Sequence, residues 1–255
     1  MHKLFKRVCA YLIDMMIIVL ISESLSSTTI LNPNLNKYNK YSKEYYKLYQ
    51  TNINFIIQLE KVYKDKKITT KEYEKLVEDY PEYKENIDKY YKDNKITSKN
   101  YNKLVKEANT KYEKEYKKYY YLIEKNSIAK LVIYIVLTIL YFVFFNYITN
   151  GQTLGKKLMK LKIVSIDNKK VSIGNYFIRA IPMYQLIYYG TRLIGIIFLK
   201  ESSYNKITSI SYSIENILEI AIFTMIMLGT SGRGLHDIIA KTKVEACDKN
   251  GNIRK

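Results

Sequence analysis

The chain has 255 residues, with 47% hydrophobic residues, 26% charged residues and a net charge of +18. Only two cysteines and two histidines are present, at Cys9, Cys247, His2 and His236. That excludes a disulfide framework and any His/Cys metal spacing. Nearly charge-free stretches flank a charged middle, so the chain holds two physical classes of segment, and an average over all of it describes neither.

The first apolar run, Val8–Ser22, follows Lys3, Lys6 and Arg7. A basic start and a short apolar core could belong to a signal peptide. Asp14 in the middle of that core, with no small-x-small site after it, predicts an uncleaved transmembrane helix instead. Asp14 stands two turns after Arg7, on the same helical face.

Residues 34–127 form a charged insert, with 22 Lys against 15 Asp and Glu, a surplus of +7. A 17-residue repeat runs through it at a period of 28. Tyr63–Asp79 aligns with Tyr91–Glu107, with 11 identical positions. Thr69 with Glu72 is a capping box. Tyr73, Leu76, Val77 and Tyr80 then line one helical face, repeated by Tyr101, Leu104, Val105 and Ala108. Two copies are too few for a solenoid. A duplicated helical hairpin is predicted, flanked by long helices over residues 41–64 and 112–126. Its lysines suit a solvated helical face better than nucleic-acid binding, which needs basic residues gathered on one soluble surface.

The second apolar run, Leu131–Ile148, holds 18 residues without a charge and approaches the ~20 needed to span a bilayer. A third run is predicted over Ala180–Leu199, interrupted by Arg192. A fourth, over Ile214–Gly229, contains Glu215 and Glu219. Lys200–Ser213 is predicted as the short connection between them. The other basic residues gather at the N-terminus, at residues 156–170 and after Gly229. Four spans with both termini and those three segments cytoplasmic follow from the positive-inside rule. The insert then lies outside the cell membrane. Two short strands, Leu161–Ile166 and Thr242–Ala246, are predicted to pair under the membrane, with Val171–Ile173 a further strand-like piece.

Three motifs carry a resemblance. Arg7 and Asp14 open the first helix. Asn150-Gly-Gln-Thr-Leu-Gly-Lys-Lys157 follows the second. Ser231-Gly-Arg-Gly-Leu-His-Asp237 follows the last. Together these resemble the RDD family of membrane proteins, over roughly residues 3–30 and 131–245. The resemblance matches Arg7 to the family's arginine and Asp14 and Asp237 to its two aspartates. The long first connection departs from the family pattern. The resemblance implies a membrane bundle and, on the transport proposed for that family, a small transporter of ions or small solutes. The alternative is a non-transporting anchor or scaffold whose extracytoplasmic insert binds a protein partner.

Asp14 must face the bundle interior and be partnered, because a charge in lipid is costly. It either locks helices together or forms a cation or proton site, and Arg7, Arg233 and His236 are its expected neighbours. Arg192 and Glu219 fall at similar depth and are predicted to pair. His236, beside Asp237, either relays protons or bonds backbone at a helix start. The glycines of the second motif suit a tight turn and lack Walker spacing. No nucleophile–base pair and no nucleotide loop appears, so neither an enzyme nor a cofactor is expected. The fold class is mainly α: a polytopic bundle of about four transmembrane helices. The predicted division is 1–33, first transmembrane helix; 34–127, insert; 128–245, remaining transmembrane helices; 246–255, C-terminal tail.

Overall fold

The computed structural model describes residues 3–63, 68–91, 98–167, 169–229 and 232–253. The chain divides into two compact units, Met1–Leu35 with Lys125–Lys255, and Asn36–Glu124.

The first unit begins with α1 (Lys3–Ser26) and α6 (Ile128–Ile148); α2–α5 belong to the other unit. Ala10, Asp14, Ile18, Ser22 and Ser26, spaced by four, are the buried face of α1. Leu12, Met16 and Leu20 on other faces are more than half exposed. A helix that buries small and polar residues and exposes large apolar ones has lipid as its solvent. α6 widens by one turn over Leu140–Phe145. Such wide turns often re-aim a side chain at a functional position. Here the wide turn holds Tyr141, Phe142 and Val143, and Phe142 stacks on Tyr184 with ring centroids 3.5 Å apart.

A short helix α7 (Leu154–Leu158) leads into β1 (Leu161–Ser165). β1 pairs antiparallel with β2 (Thr242–Ala246), Leu161 opposite Ala246 and Ser165 opposite Thr242. Leu161, Ile163 and Val244 bury one face of this pair among Ala10, Phe142, Tyr176 and Tyr184. Val171 is loop, and Ile173 begins α8 (Ile173–Met183), because Ser172 and Asn175 form a capping box that starts a helix there.

The predicted third span is broken. The backbone turns left-handed at Gln185, with φ 54°, and separates α8 from α9 (Leu186–Phe198). Pro182, inside α8, removes a helical amide just before the break. α9 alone is about 20 Å long, short of the ~30 Å hydrocarbon core. The predicted connection Lys200–Ser213 is helix. It is the first half of α10 (Glu201–Leu228), about 42 Å long. Its polarity misled the sequence reading, because Tyr204, Thr208 and Ser211 are buried polar residues on one helical face. Among the described residues, three helices, α1, α6 and α10, are thus long and apolar enough to cross a membrane. The chain ends with α11 (Leu235–Ile239) and β2.

In the second unit, α2 (Leu35–Tyr63), α3 (Thr70–Asp79), α4 (Lys84–Tyr90) and α5 (Ser98–Asn126) share a core of Phe55, Leu59, Leu76, Ile87, Leu104 and Ala108. The Thr69–Glu72 capping box is present. The repeat helix of the second copy and the following predicted helix are one continuous α5. Equivalent tyrosines of the two copies stack reciprocally. Tyr63 lies on Tyr101 and Tyr73 on Tyr91, each pair 4.3 Å between centroids. The copies therefore meet in a local pseudo-twofold arrangement. Residues 64–67 and 92–97, which open the two repeat copies after Tyr63 and Tyr91, lie outside the described residues.

Candidate functional site

Two buried aspartates organise the first unit. Asp14 is fully buried. Its Oδ1 accepts from the Tyr141 hydroxyl at 2.7 Å and from the Gly155 amide at 2.8 Å. Its Oδ2 accepts from the Thr153 hydroxyl, and Lys156 Nζ lies 3.7 Å away. Thr153 also caps α7, accepting from the Lys156 amide at 3.4 Å and from Lys156 Nζ at 3.0 Å. The second motif is therefore a short helix laid against α1, its first turn aimed at the carboxylate. Gly155 is required by that approach. A Cβ there would lie 2.2 Å from the Ala10 carbonyl oxygen and 2.9 Å from Asp14 Oδ1. Burial lowers the Lys156 pKa to about 8, partly countered by Asp14, so the group stays cationic at neutral pH.

Asp237 is also fully buried. Arg7 Nη2 donates to its Oδ2 at 2.8 Å, and Arg179 Nη1 donates to its Oδ1. Arg179 also reaches the Thr242 hydroxyl at 3.1 Å, and Arg7 reaches the Gly232 carbonyl. Arg233 donates to the carbonyls of Thr242 and Asp237, at 3.0 and 3.2 Å. Burial works against the Asp237 charge, but the Arg179 and Arg7 guanidinia outweigh it and hold its pKa well below the usual carboxylate range. One carboxylate thus ties α1, α8 and α11 together.

Several expected pairings are different. Asp14 takes its partners from Tyr141 of α6 and from the second motif, while Arg7 and Arg233 turn to the loop around Asp237. Arg192 lies over the rings of Tyr188 and Tyr189, at 5.3 and 5.6 Å, and Glu219 accepts from the Gln185 amide. The left-handed residue that breaks the third run is the one that reaches Glu219, a contact a straight helix would not offer. His236 does not bond backbone through its ring. Both ring nitrogens are buried without a hydrogen-bond partner, and Nε2 stands 3.3 Å from Asp237 Oδ2 without hydrogen-bond geometry. Burial, aided by Arg179, lowers the His236 pKa to about 4, so the ring is neutral at neutral pH. Its ring packs on Gly234, where a Cβ would lie 2.7 Å from Cε1.

Sequence reasoning missed Arg179, Lys156, Thr153 and Tyr141. Arg179 did carry a signal: a lone arginine ahead of a mostly apolar run, one residue before the span was taken to start. A cleft of about 370 Å³ lies beside the two clusters, lined by α1, α8 and α10. Among the described residues, no group of three or more His, Cys, Asp or Glu could hold a metal ion.

No curated protein and no solved structure matches the chain. Residues 121–241 match the model of the RDD family. The match takes in α6, the second motif, Arg179 and Asp237, while Arg7 and Asp14 precede it on the far side of the insert and bond to residues inside it. With three spanning-length apolar helices, this is a multi-pass membrane protein, and the chain carries an RDD family domain over residues 121–241.

Proposed function

We propose that the chain is a small membrane transporter coupled to cations or protons. The carrying observation is Glu215. It is 1% exposed, and neither carboxylate oxygen has a hydrogen-bond partner among the described residues. It stands 14 residues from Glu201 and 13 from Leu228, so about 20 Å from either end of α10. An ionisable residue at that depth, facing the bundle, marks an ion or proton pathway by default. Ser211, one turn away, is also buried without a partner, and Thr208 continues the same face. A hydroxyl–hydroxyl–carboxyl stripe supplies the oxygen ligands that a hard cation or a hydrated proton needs.

The chain path supports four crossings with both termini cytoplasmic. Lys3 pairs with Glu245 and Arg7 with Asp237, so both ends of the unit share one face. β1 and β2 are hydrogen-bonded, so the segment between them crosses an even number of times. If α10 crosses once, the broken α8–α9 segment makes the other crossing. The basic residues near that face support a cytoplasmic location for it, at a cell membrane.

The sealed state of Asp14 and Asp237 favours the second reading, a non-transporting anchor whose insert binds a partner protein, since both carboxylates are fully engaged as structural ties. Proteoliposomes loaded with a pH-sensitive dye separate the two. Transport predicts that adding sodium, potassium or lithium changes the internal pH, and that Glu215→Gln abolishes the change while leaving thermal unfolding intact. A wild-type protein that moves none of these cations and no protons rejects the transporter in favour of the anchor.

A further inference from the structure

We propose that a cavity beside β1 binds a phosphate monoester, carried by a lipid headgroup or by a small soluble molecule. The cavity, of about 490 Å³, lies between the end of α6, β1 and the segment that opens α8. That volume falls within the ~300–1,000 Å³ of pockets that hold small ligands. Lys162, Lys169 and Lys170 line it, and among the described residues no carboxylate does. The surplus of three positive charges therefore belongs to the lining itself. The nearby acids do not cancel it. Glu245, opposite Lys162 in the strand ladder, is held by Lys3 at 3.1 Å and by Lys243 at 3.3 Å. Asp248 accepts from the Asn250 and Asn252 amides, each at 2.8 Å. Asp167 is exposed and lies outside the lining, and counting it still leaves a surplus of two.

The second observation is Tyr176. It is 2% exposed, with its ring in the core of the first unit, and it lines the cavity. Its hydroxyl ends beside Gly151, where a Cβ would lie 3.0 Å from it, next to Asn150 of the lining. That hydroxyl makes no hydrogen bond among the described residues, so its proton is free to be donated into the cavity. Lys170 Nζ stands 5.1 Å over the Tyr147 ring, and Lys162 Nζ donates to the Gly251 carbonyl at 3.1 Å. Each ammonium has three donors, so both keep others for a ligand. Like charges gathered in one cavity repel, and an anion among them relieves that cost. A carboxylate would supply one negative charge. A phosphate monoester supplies about 1.5–2 at neutral pH and three acceptor oxygens, which suits a surplus of two to three and the donors around it. The site is independent of Glu215 and of transport.

The full-length protein, immobilised in a neutral detergent, is equilibrated with radiolabelled inorganic phosphate and, separately, with radiolabelled phosphatidic acid. Saturable retention is expected. Retained lipid that millimolar inorganic phosphate does not displace identifies a headgroup as the occupant. Retention of inorganic phosphate, or displacement of the lipid by it, identifies a soluble ester. Lys169→Gln with Lys170→Gln should weaken retention by about ten-fold or more, and Tyr176→Phe by about five-fold. Thermal unfolding should not change in either, since the lysines are exposed and the hydroxyl has no partner to lose. Lys6→Gln with Lys157→Gln removes the same charge from residues outside the lining and should leave retention intact. Retention of neither probe overturns the proposal. So does an equal loss in the Lys6 and Lys157 variant, or undiminished retention in Tyr176→Phe, either of which would mean general surface attraction.

Discussion

The carboxylate of Asp14 and the amide of Gly155 meet at 2.8 Å, although 141 residues separate them. The contact fixes α1 against α7 independently of what the chain does between them. A first connection of any length is therefore compatible with the same core, since loop-closure entropy grows only slowly with length. Glycine is what allows this approach, and that sets up a sign-reversed pair of substitutions. Gly155→Ala would press a methyl against the Ala10 carbonyl at 2.2 Å, and should cost about 2 kcal/mol or more. Gly190→Ala, inside α9, has nothing within 4 Å of the new methyl and should stabilise by about 0.5–1 kcal/mol. Thermal unfolding in detergent should move in opposite directions for the two variants.

Asp237 holds two guanidinia, so its substitutions should not add. Arg179→Met leaves a buried carboxylate with one fewer counter-charge and should cost about 3–5 kcal/mol. The double variant Arg179→Met with Asp237→Asn should cost clearly less than the sum of the single changes, because the stranded charge is gone. Arg7→Met should cost less than Arg179→Met, since Arg7 is the more exposed partner. Additive losses would show that the three groups do not act as one cluster.

Much of this was legible in the sequence for identifiable reasons. The second apolar run carries no charge, and the one charge within the first, Asp14, falls on its buried face, so both helices lie close to where hydropathy puts them. β1 and β2 alternate apolar and polar residues beside turn residues, which specifies strands in five residues. α10 was cut in half because buried hydroxyls read as a loop when hydropathy is the guide. The partners of Asp14 were misassigned because depth along a helix says nothing about azimuth. Arg7 and Asp14 share a face two turns apart, yet their partners come from different motifs. Arg179 was passed over because its neighbours were counted as flank. A lone arginine beside an apolar run is better treated as one half of a buried pair.

Acid should weaken the first unit through His236. Its folded pKa is lowered to about 4 from an ordinary 6.5, so the unfolded chain takes up a proton at a higher pH than the folded one. Stability is therefore intact above about pH 6.5 and falls as pH drops towards 4, by about 3 kcal/mol in all. Asp237 stays ionised through this window, because its arginines hold its pKa far lower. A His236→Gln variant should lose this part of the pH slope. Unfolding followed between pH 7.5 and 4 checks it, and an identical slope in the variant would remove His236 as the cause.

The two repeat copies of the second unit should be energetically equivalent. Leu76 and Leu104 occupy the same repeat position, and both are buried in one core. Leu76→Ala and Leu104→Ala should each cost about 2–5 kcal/mol. A fragment of residues 36–124 should show a helical circular dichroism spectrum and a cooperative melt, lowered to a similar degree by each substitution. A random-coil spectrum would show that the unit needs the rest of the chain to fold.

Topology follows from pairings that bring distant segments to one face. Lys3 with Glu245, Arg7 with Asp237, and β1 with β2 bring the N-terminus, the α7–β1 segment and the C-terminus together. On the proposed topology that face is cytoplasmic, because Lys156, Lys157, Lys160 and Lys162 follow α6 within the short distance over which basic residues orient a helix. On the same proposal the insert lies outside, since long segments are translocated largely regardless of their charge. In a background with Cys9 and Cys247 replaced by serine, Glu113→Cys and Lys249→Cys provide exposed single thiols, one in each unit. A membrane-impermeant maleimide applied to intact cells should modify the thiol at residue 113 and leave that at 249 untouched until the membrane is opened. Modification of 249 alone would invert the orientation. Modification of both in intact cells would mean an even number of crossings between residues 113 and 249 and hence, with α6 crossing once, an odd number between β1 and β2, contrary to the strand pairing. That outcome would require α8–α9 to dip into the membrane and return on the same side, leaving α10 as the last crossing.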